Sequence, residues 1–372
     1  MVDTDLKLAS ILPVLEKAEW VAVDTEADSL HAYPEKVCLI QISTAAGENL
    51  VDPLGELNLD ALLGVLAKHE LIMHGADYDL RLLNKHHQFR PMRIFDTMLA
   101  ARLLGVKQFG LGDLVHNYLG VKLEKGPQKA NWALRPLTER MICYARNDTR
   151  YLKPLADRLE RELVAKGRLE WHQEMCARLV EECVANGKPD PELSWRLKGS
   201  QGLDRRGLAV LRELWRWRER EARGANRPPF FVLSHDAMIA VASAAAQGAP
   251  VEPVLPGHLS ERRVAGILKA VRHALSLPQD HYPKPIRQVF RRQTEGEKKR
   301  YQEIRKRRDL HAAQLGIDPA LIASRSTIAD LAHNWEKHAP ELMQWQRTLL
   351  APPPGREPMT AAGSRASHLT SS

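Results

Sequence analysis

The stretch WVAVDTE (residues 20–26) decides the fold prediction, because apolar and β-branched residues run directly into two acids. A short apolar run of this kind is typical of a buried strand. VCLIQIS (37–43) and NLVD (49–52) follow after short connections, and LIMHG (71–75) has the same character. We therefore expect an antiparallel meander of three strands, joined by a fourth strand further along the chain.

Helical patterns fill the rest of the first 165 residues or so. Apolar residues recur there at helical spacing, and glycines stop several of the runs. The predicted helices cover 58–68, 79–87, 94–105, 110–120 and 138–166. This mixture of strands and helices predicts an α/β domain over residues 1–167.

The chain changes to helical patterns after Gly167. The segment GKPDPELSW (187–195) holds two prolines and a glycine and predicts a linker. The final segment is rich in Pro, Ser, Gly and Ala and is expected to be disordered. The predicted parts are a helical connector and linker at 168–203, helical domains at 204–280 and 281–350, and a tail at 351–372.

Composition narrows the class of protein. The chain has 372 residues, of which 44% are hydrophobic and 27% charged, as in an ordinary globular protein. No basic segment followed by an apolar run opens the sequence, and no stretch of about 18 apolar residues occurs, so neither a secretory signal nor a membrane span is expected. The four cysteines lack C-x-x-C spacing and are expected to be reduced thiols. These features predict a cytoplasmic protein without a structural zinc site.

Positive charge is concentrated in one segment. The formal net charge is +8, and residues 281–310 carry eleven Lys or Arg against four acids. A basic segment favours a polyanionic partner such as RNA. The alternative is a solvated helix face without a ligand, and the sequence leaves both interpretations open.

Three acidic elements stand out as candidates for metal chemistry. Asp24 and Glu26 are two apart on a strand and so share a face, where a divalent cation would relieve their repulsion. Asp79 follows the fourth strand at the start of a helix. Tyr144 and Asp148 are four apart on a later helix and so point the same way. Taken singly, each element has an ordinary alternative: an acidic strand end, a helix cap and a surface pair.

The order of these elements resembles the DEDD exonuclease superfamily in its tyrosine subclass. D-x-E on a strand, Asp after a later strand and Y-x-x-x-D on the last helix follow that pattern. Longer segments resemble the ribonuclease D family, including W-x-x-R-P-L shortly before Y-x-x-x-D. The segments are YPEKVCLIQIS (33–43), FDTMLAARLLG (95–105), LVHNYLGVKLEKGPQKANWALRPL (114–137) and YARNDTRYLKPL (144–155). Asp77 competes with Asp79, which we prefer because its Y-D-L context matches the family motif.

The helical half resembles a second known module. Residues 208–242 are similar to the HRDC domain that ribonuclease D shares with certain DNA helicases, and 301–332 have a similar, weaker outline. One departure concerns the position after D-T-E, where the family usually has an aromatic residue and this chain has Ala27 and Asp28. The departure affects how the terminal base would be seated, not the metal chemistry.

The resemblance implies a fold and a reaction. The fold would be RNase H-like, a mixed five-stranded sheet flanked by helices, followed by all-α HRDC-type domains. Two Mg²⁺ or Mn²⁺ ions would be held by the four acids: Asp24 would bridge both, Glu26 and Asp148 would hold the water-activating ion, and Asp79 would support the other. Tyr144 would orient the attacking water. The reaction would be 3′→5′ hydrolysis of RNA to nucleoside 5′-monophosphates.

The implied substrates are single-stranded 3′ ends, with tRNA precursors as the family's example, and we expect a monomer. Trp132 and Arg135 are candidate substrate contacts, with a structural role as the alternative. The tryptophans of LRELWRWRER (211–220) are either core residues or stacking residues. His74 is interpreted as a strand-end residue, since oxygens already fill the metal pattern.

Two other functions compete with RNA hydrolysis. A 3′→5′ DNA exonuclease would use the same metal residues, and only a contact to the ribose 2′-OH would separate the two. A catalytically silent RNA-binding protein would be expected to lose part of the acidic set. The presence of all four acids and Tyr144 argues against it.

Overall fold

The computed structural model describes residues 1–185, 190, 192–285 and 293–352, and at Glu56 the backbone alone. A six-stranded sheet forms the centre of the first domain, in the order β1-β4-β3-β2-β5-β6. The strands are β1 (Val2–Thr4), β2 (Val21–Ala27), β3 (Val37–Thr44), β4 (Gly47–Glu56), β5 (Glu70–Met73) and β6 (Arg93–Asp96). The predicted α/β class is confirmed, with one strand more than the five expected.

The β2 strand lies inside the sheet, which is why its sequence is so apolar. It pairs antiparallel with β3 and parallel with β5. β3 and β4 complete the predicted meander, and β1 and β6 add parallel edges. Residues Val21, Ala22 and Val23 are wholly buried, so the following acids emerge from a rigid strand.

In the described part of the first 232 residues, ten α-helices connect the strands, flank them or follow them. They are α1 (Asp5–Glu16), α2 (Asp60–Leu66), α3 (Asp77–His87), α4 (Thr97–Leu103), α5 (Leu111–Leu119), α6 (Glu139–Arg150), α7 (Leu152–Ala165), α8 (Leu169–Ala185), α9 (Arg205–Gly224) and α10 (Pro229–Val232). Seven more follow in the described ranges: α11 (His235–Ala246), α12 (Glu261–Ser276), α13 (Glu295–Leu315), α14 (Pro319–Ile322), α15 (Arg325–His333), α16 (Trp335–His338) and α17 (Gln344–Leu350).

Two helix predictions were wrong in detail. The predicted helix 94–105 begins as strand β6, and α4 starts only at Thr97, where Asp96 caps it by accepting hydrogen bonds from the N–H groups of Met98 and Leu99. A strand of four residues is too short to show the alternation of apolar and polar residues that identifies a strand. The helical spacing of the residues that follow therefore determined the prediction. The predicted helix 138–166 is two helices, because α6 ends and α7 begins on either side of Tyr151.

The helical half divides into two units of similar order, each a long helix, a four-residue helix beginning at a proline, and another helix. The first unit (α9–α12) has a core of its own. The second unit (α13–α17) instead shares a core with the sheet domain, where Ile304 and Ala312 belong to the same cluster as Leu155. Parts of the predicted linker (187–195), basic segment (281–310) and tail (351–372) lie outside the described residues.

Backbone contacts fix the second unit against the sheet domain. Gly105 has φ +85°, and a Cβ there would lie 2.1 Å from the carbonyl oxygen of Gly316. The buried Arg168 donates to the carbonyl oxygens of Leu103 (2.6 Å) and Leu315 (2.8 Å), at the ends of α4 and α13. The second unit is thus built onto the sheet domain.

The first unit meets the sheet domain through Tyr33, in the loop between β2 and β3. The Tyr33 hydroxyl donates to Glu219, and its backbone N–H donates to Oδ1 of Asn226 at 3.2 Å. This loop follows directly after Glu26, so the first unit is docked next to the acidic strand end. Among the described helices, none combines the length and apolarity that crossing a membrane requires.

Candidate metal centre and active site

Three predicted acids converge at the end of β2. Asp24 and Glu26 share one face of the strand, and Asp148 approaches from α6; one carboxylate oxygen of each lies within 4.8 Å of the others. Asp79 comes from α3, where its Oδ1 accepts a hydrogen bond from the hydroxyl of Thr25. The structure therefore brings three of the four acids that the sequence singled out within reach of one ion, and Asp79 lies near enough for its charge to raise the pKa values of Asp24 and Glu26.

Asp79 and Asp77 differ in their surroundings. Asp79 is only 6% exposed and raises the pKa of Asp24 through its charge. The side chain of Asp77 is 57% exposed and forms an ion pair with Arg81 at 2.8 Å. The geometry favours Asp79 as the fourth member of the cluster.

Helix α6 is held over the sheet by its own sequence. Thr138 caps its first turn by accepting from the N–H of Met141, and the hydroxyls of Ser43 and Thr149 are 2.7 Å apart. Ala145 is wholly buried between Tyr144 and Asp148, so the helix approaches the sheet closely. The four-residue spacing then directs both functional side chains towards β2.

Burial and mutual repulsion dominate the electrostatics of the cluster. Burial raises the pKa of Asp24 well above its usual range, with further contributions from Asp79, Asp148 and Glu26. Burial, with repulsion from Asp148 and Asp79, raises the pKa of Glu26 to about 9. Burial also raises the pKa values of Asp79 and Asp148, opposed by the Thr25 and Tyr144 hydroxyls respectively.

No cationic side chain of the described residues is paired with this cluster. Within the described ranges, no Lys, Arg or His forms an ion pair with any of the four carboxylates. Oδ2 of Asp148 is buried and has no hydrogen-bond partner in the described chain. Buried acids of this kind need a counter-charge, and an all-oxygen donor set suits Mg²⁺ or Mn²⁺.

Tyr144 is packed so that its hydroxyl faces the acids. Its ring lies 6.1 Å from that of Trp132, and the backbone of Gly126 passes so close that a Cβ there would be 1.5 Å from Cδ2 of Tyr144. Burial and the charge of Asp148 raise the pKa of Tyr144, opposed by a hydrogen bond with Gln128. The phenol therefore stays protonated at neutral pH and acts as a hydrogen-bond donor, not as a base.

Trp132 and Arg135 lie on the same side of the site as Tyr144. Trp132 is 1% exposed. Arg135 donates through Nη2 to Oδ1 of Asp52 (2.6 Å) and to the carbonyl oxygen of Cys38 (2.7 Å). These contacts favour the structural alternative for both residues over a contact with substrate.

Other candidates also have structural contacts. His74 lies with Nδ1 2.8 Å from the hydroxyl of Thr97. Trp217 belongs to the core of the first helical unit and Trp215 packs against it, which favours the core interpretation of both. In the basic segment, Arg300 donates to the carbonyl oxygen of Ala332 (2.6 Å). Part of that segment's charge thus serves the second unit's own fold.

Several residues that border the cluster were not among the candidates predicted from the sequence. Asp96 is wholly buried and accepts from the N–H groups of Gly75 (3.2 Å) and Ala76 (2.8 Å), which fixes the turn before α3. Asp96 was hard to recognise in the sequence, because a single acid before a helix is usually interpreted as a helix cap. Gln41 had a clearer signal, being the one strongly polar residue inside the run VCLIQIS.

We expect the stabilising effect of Mn²⁺ or Mg²⁺ on the protein to grow as pH rises from 6 to 8. In the unfolded chain these acids lose their protons near pH 4. The folded cluster keeps protons to higher pH, up to about 9 at Glu26, so this site makes the metal-free protein less stable as pH rises. Cations compete with those protons for the carboxylates and restore the stability that the metal-free protein loses as pH rises.

The measurement is the difference in Tm with and without metal at each pH. This difference is needed because the lowered pKa values of the buried His74 and His172 act on the whole protein in the opposite direction. A metal-induced Tm shift that is constant, or falls, between pH 6 and pH 8 would contradict the expectation.

The chain is similar to known protein families, to characterised relatives and to solved structures. A family model described as 3′-5′ exonuclease matches residues 1–164, and one described as HRDC domain matches 207–248. Ribonuclease D of Gluconacetobacter diazotrophicus is 29% identical, covering 94% of this chain and 90% of that protein. Ribonuclease D of Escherichia coli is also 29% identical, covering 94% and 96%.

Solved structures give the same picture. The crystal structure of Escherichia coli RNase D, described as an exoribonuclease involved in structured RNA processing, matches with a TM-score of 0.73 and 27% identity over 91% of both chains. The catalytic core of RRP6 from Trypanosoma brucei matches with a TM-score of 0.61 and 27% identity, covering 74% of this chain and 79% of that one.

Proposed function

The chain belongs to the ribonuclease D family of 3′→5′ exoribonucleases, with an exonuclease domain followed by an HRDC domain. We therefore propose that it trims the 3′ ends of structured RNA precursors, including tRNA precursors. The family membership confirms the resemblance predicted from the motifs. The proposed product is a nucleoside 5′-monophosphate released at each step. The domain boundaries at 167, 203, 280 and 350 are part of the proposal.

The observation that carries the proposal is the partly buried acidic cluster, whose carboxylates form no ion pair with any described Lys, Arg or His. We assign Asp24, Glu26, Asp79 and Asp148 as the ligands of two divalent ions. When bound, Mg²⁺ or Mn²⁺ would activate water and neutralise negative charge on the scissile phosphate. Oδ2 of Asp148, which has no partner among the described residues, would find one there.

Tyr144 supplies the protein's own contribution to the reaction. Its protonated hydroxyl donates to the attacking water and holds that water in line with the phosphorus. Gly126 and Trp132 fix the ring from two sides, so the hydroxyl is placed before substrate binds. Fixing a reactant in this way lowers the entropic part of the barrier.

The HRDC unit supports RNA as the substrate. It docks through Tyr33 on the loop that follows Glu26, so an RNA strand leading away from the 3′ end would pass close to it. The relative from Escherichia coli is described as acting on structured RNA, which is why we prefer structured precursors to DNA.

The test is a time course on two oligonucleotides of matched sequence with single-stranded 3′ tails, one RNA and one DNA. We expect stepwise shortening of the RNA in Mg²⁺, no shortening in EDTA, and recovery when Mg²⁺ is restored. Asp148→Asn purified in the same way controls for contaminating nucleases. Faster shortening of DNA would overturn the substrate assignment, and no metal-dependent shortening of either would overturn the enzymatic one.

A further inference from the structure

Gln41 is a buried polar residue that the proposed reaction has not used. It lies in the middle of β3 between Ile40 and Ile42 and is 0% exposed. Neither its Nε2 nor its Oε1 has a hydrogen-bond partner in the described part of the chain. An amide without partners is costly to bury, and such groups in native proteins call for an explanation.

The position of Gln41 in the sheet explains why its amide is buried without a partner. In the antiparallel pairing of β2 with β3, Gln41 stands directly opposite Asp24. Residues paired in this way point to the same face and have their Cβ atoms about 4.5–5.5 Å apart. The unpartnered amide is therefore the immediate neighbour of the carboxylate at the centre of the acidic cluster.

Helix α6 closes the same face from above. Ser43, two residues along β3 and so on the face of Gln41, lies 2.7 Å from the hydroxyl of Thr149. Asp148, one residue before Thr149, has a further buried polar atom, Oδ2, without a partner among the described residues. Two unsatisfied groups thus sit beside Asp24 between β3 and α6, and neither bonds the other.

We propose that Gln41 is a positioning residue for the metal centre, whose amide N–H donates to the carboxylate of Asp24 when divalent ions are bound. The inference rests on the proposed function, because it requires that the four acids bind metal. An ionised carboxylate accepts hydrogen bonds only, and an amide nitrogen is a matching donor that adds no charge. Donors behind a ligating carboxylate fix its orientation and strengthen metal binding.

The experiment compares full-length wild type with Gln41→Leu by calorimetric titration with Mn²⁺ in the absence of RNA. We expect the variant to bind Mn²⁺ about tenfold more weakly. Its metal-free Tm should be equal to that of wild type or higher, because leucine removes two buried polar atoms that have no partner. In activity assays the half-saturating Mg²⁺ concentration should rise by the same factor, and excess Mg²⁺ should restore kcat.

Thr44→Val is the matched control, an isosteric loss of a buried hydroxyl on the same strand. Thr44 accepts a hydrogen bond from the N–H of Ala46 at 3.2 Å, away from the acids. We expect its Tm to fall and its Mn²⁺ affinity to stay within twofold of wild type. Gln41→Met, with the same chain length as glutamine, replaces Gln41→Leu if the branched side chain prevents folding.

The outcomes separate the inference from the proposed function. If wild type binds no Mn²⁺ at the cluster, the metal assignment fails and the inference fails with it. If wild type binds Mn²⁺ and Gln41→Leu binds it within twofold as tightly, only the role of Gln41 is overturned. Equal weakening by Gln41→Leu and Thr44→Val would assign both residues to folding alone.

Discussion

Replacing Asp24 with Asn is expected to slow 3′-end shortening by at least about a thousandfold while leaving the metal-free protein as stable as wild type or more so. One carboxylate oxygen of Asp24 lies within 4.8 Å of oxygens of Glu26 and Asp148, and the charges of Asp79, Asp148 and Glu26 each raise the pKa of Asp24. Loss of a carboxylate that we propose as a metal ligand should remove about 4 kcal/mol of transition-state stabilisation, which corresponds to about a thousandfold in rate. The neutral amide also relieves repulsion within the metal-free cluster, so the fold should not suffer.

The measurement pairs single-turnover rates on a 3′-tailed RNA with Tm values in EDTA. Asp77→Asn is the matched control, since Asp77 lies two residues before Asp79 and its side chain is 57% exposed. We expect that control to keep its activity within about twofold. A fully active Asp24→Asn would remove the metal centre from the mechanism, and an inactive Asp77→Asn would reverse the choice between Asp77 and Asp79.

The acids could be found from the sequence because strand and helix periods place them in pairs, and the resemblance to a known family combines the pairs with Asp79. Asp24 and Glu26 share a face through the period of two, and Tyr144 and Asp148 through the spacing of four. Family resemblance then selected Asp79 over Asp77. The structure adds the reason for that choice, a hydrogen bond from Thr25 on the strand that carries Asp24 and Glu26.

The remaining features depend on contacts between distant parts of the chain. The pairing of β6 with β5 is parallel and only four residues long, so nothing local distinguishes it from the start of a helix. The close approach of Gly105 to Gly316 joins residues more than 200 positions apart. A sequence read one segment at a time predicts two similar helical units, and cannot indicate that the second shares its core with the sheet domain.

The two helical units therefore differ in what they do for the molecule. The second completes the core of the sheet domain, and some of its arginines are committed to its own carbonyl groups. The first keeps a separate core and touches the sheet domain at the loop beside Glu26.

Gly126→Ala is expected to lower kcat about a hundredfold, although glycine brings no side chain of its own to the reaction. A Cβ at this position would lie 1.5 Å from Cδ2 of Tyr144 and 2.2 Å from Cε2, so either the ring or the loop must move. The loop is fixed on both sides, by Arg140 donating to the carbonyl oxygen of Lys125 (3.1 Å) and by His31 at 2.9 Å from that of Lys129. We therefore expect the ring of Tyr144 to move. A displacement of about 1 Å at a catalytic group can lower the rate about a hundredfold.

A double-mutant cycle isolates this effect from general damage. In a Tyr144→Ala background the ring is gone, so Gly126→Ala should cost little further activity, giving a large coupling between the two positions. Gly112→Ala serves as control, because a Cβ there meets nothing within 4 Å. If Gly126→Ala costs the same in both backgrounds, its effect runs through the loop, and the placement of the Tyr144 hydroxyl by close packing is not what sets the rate.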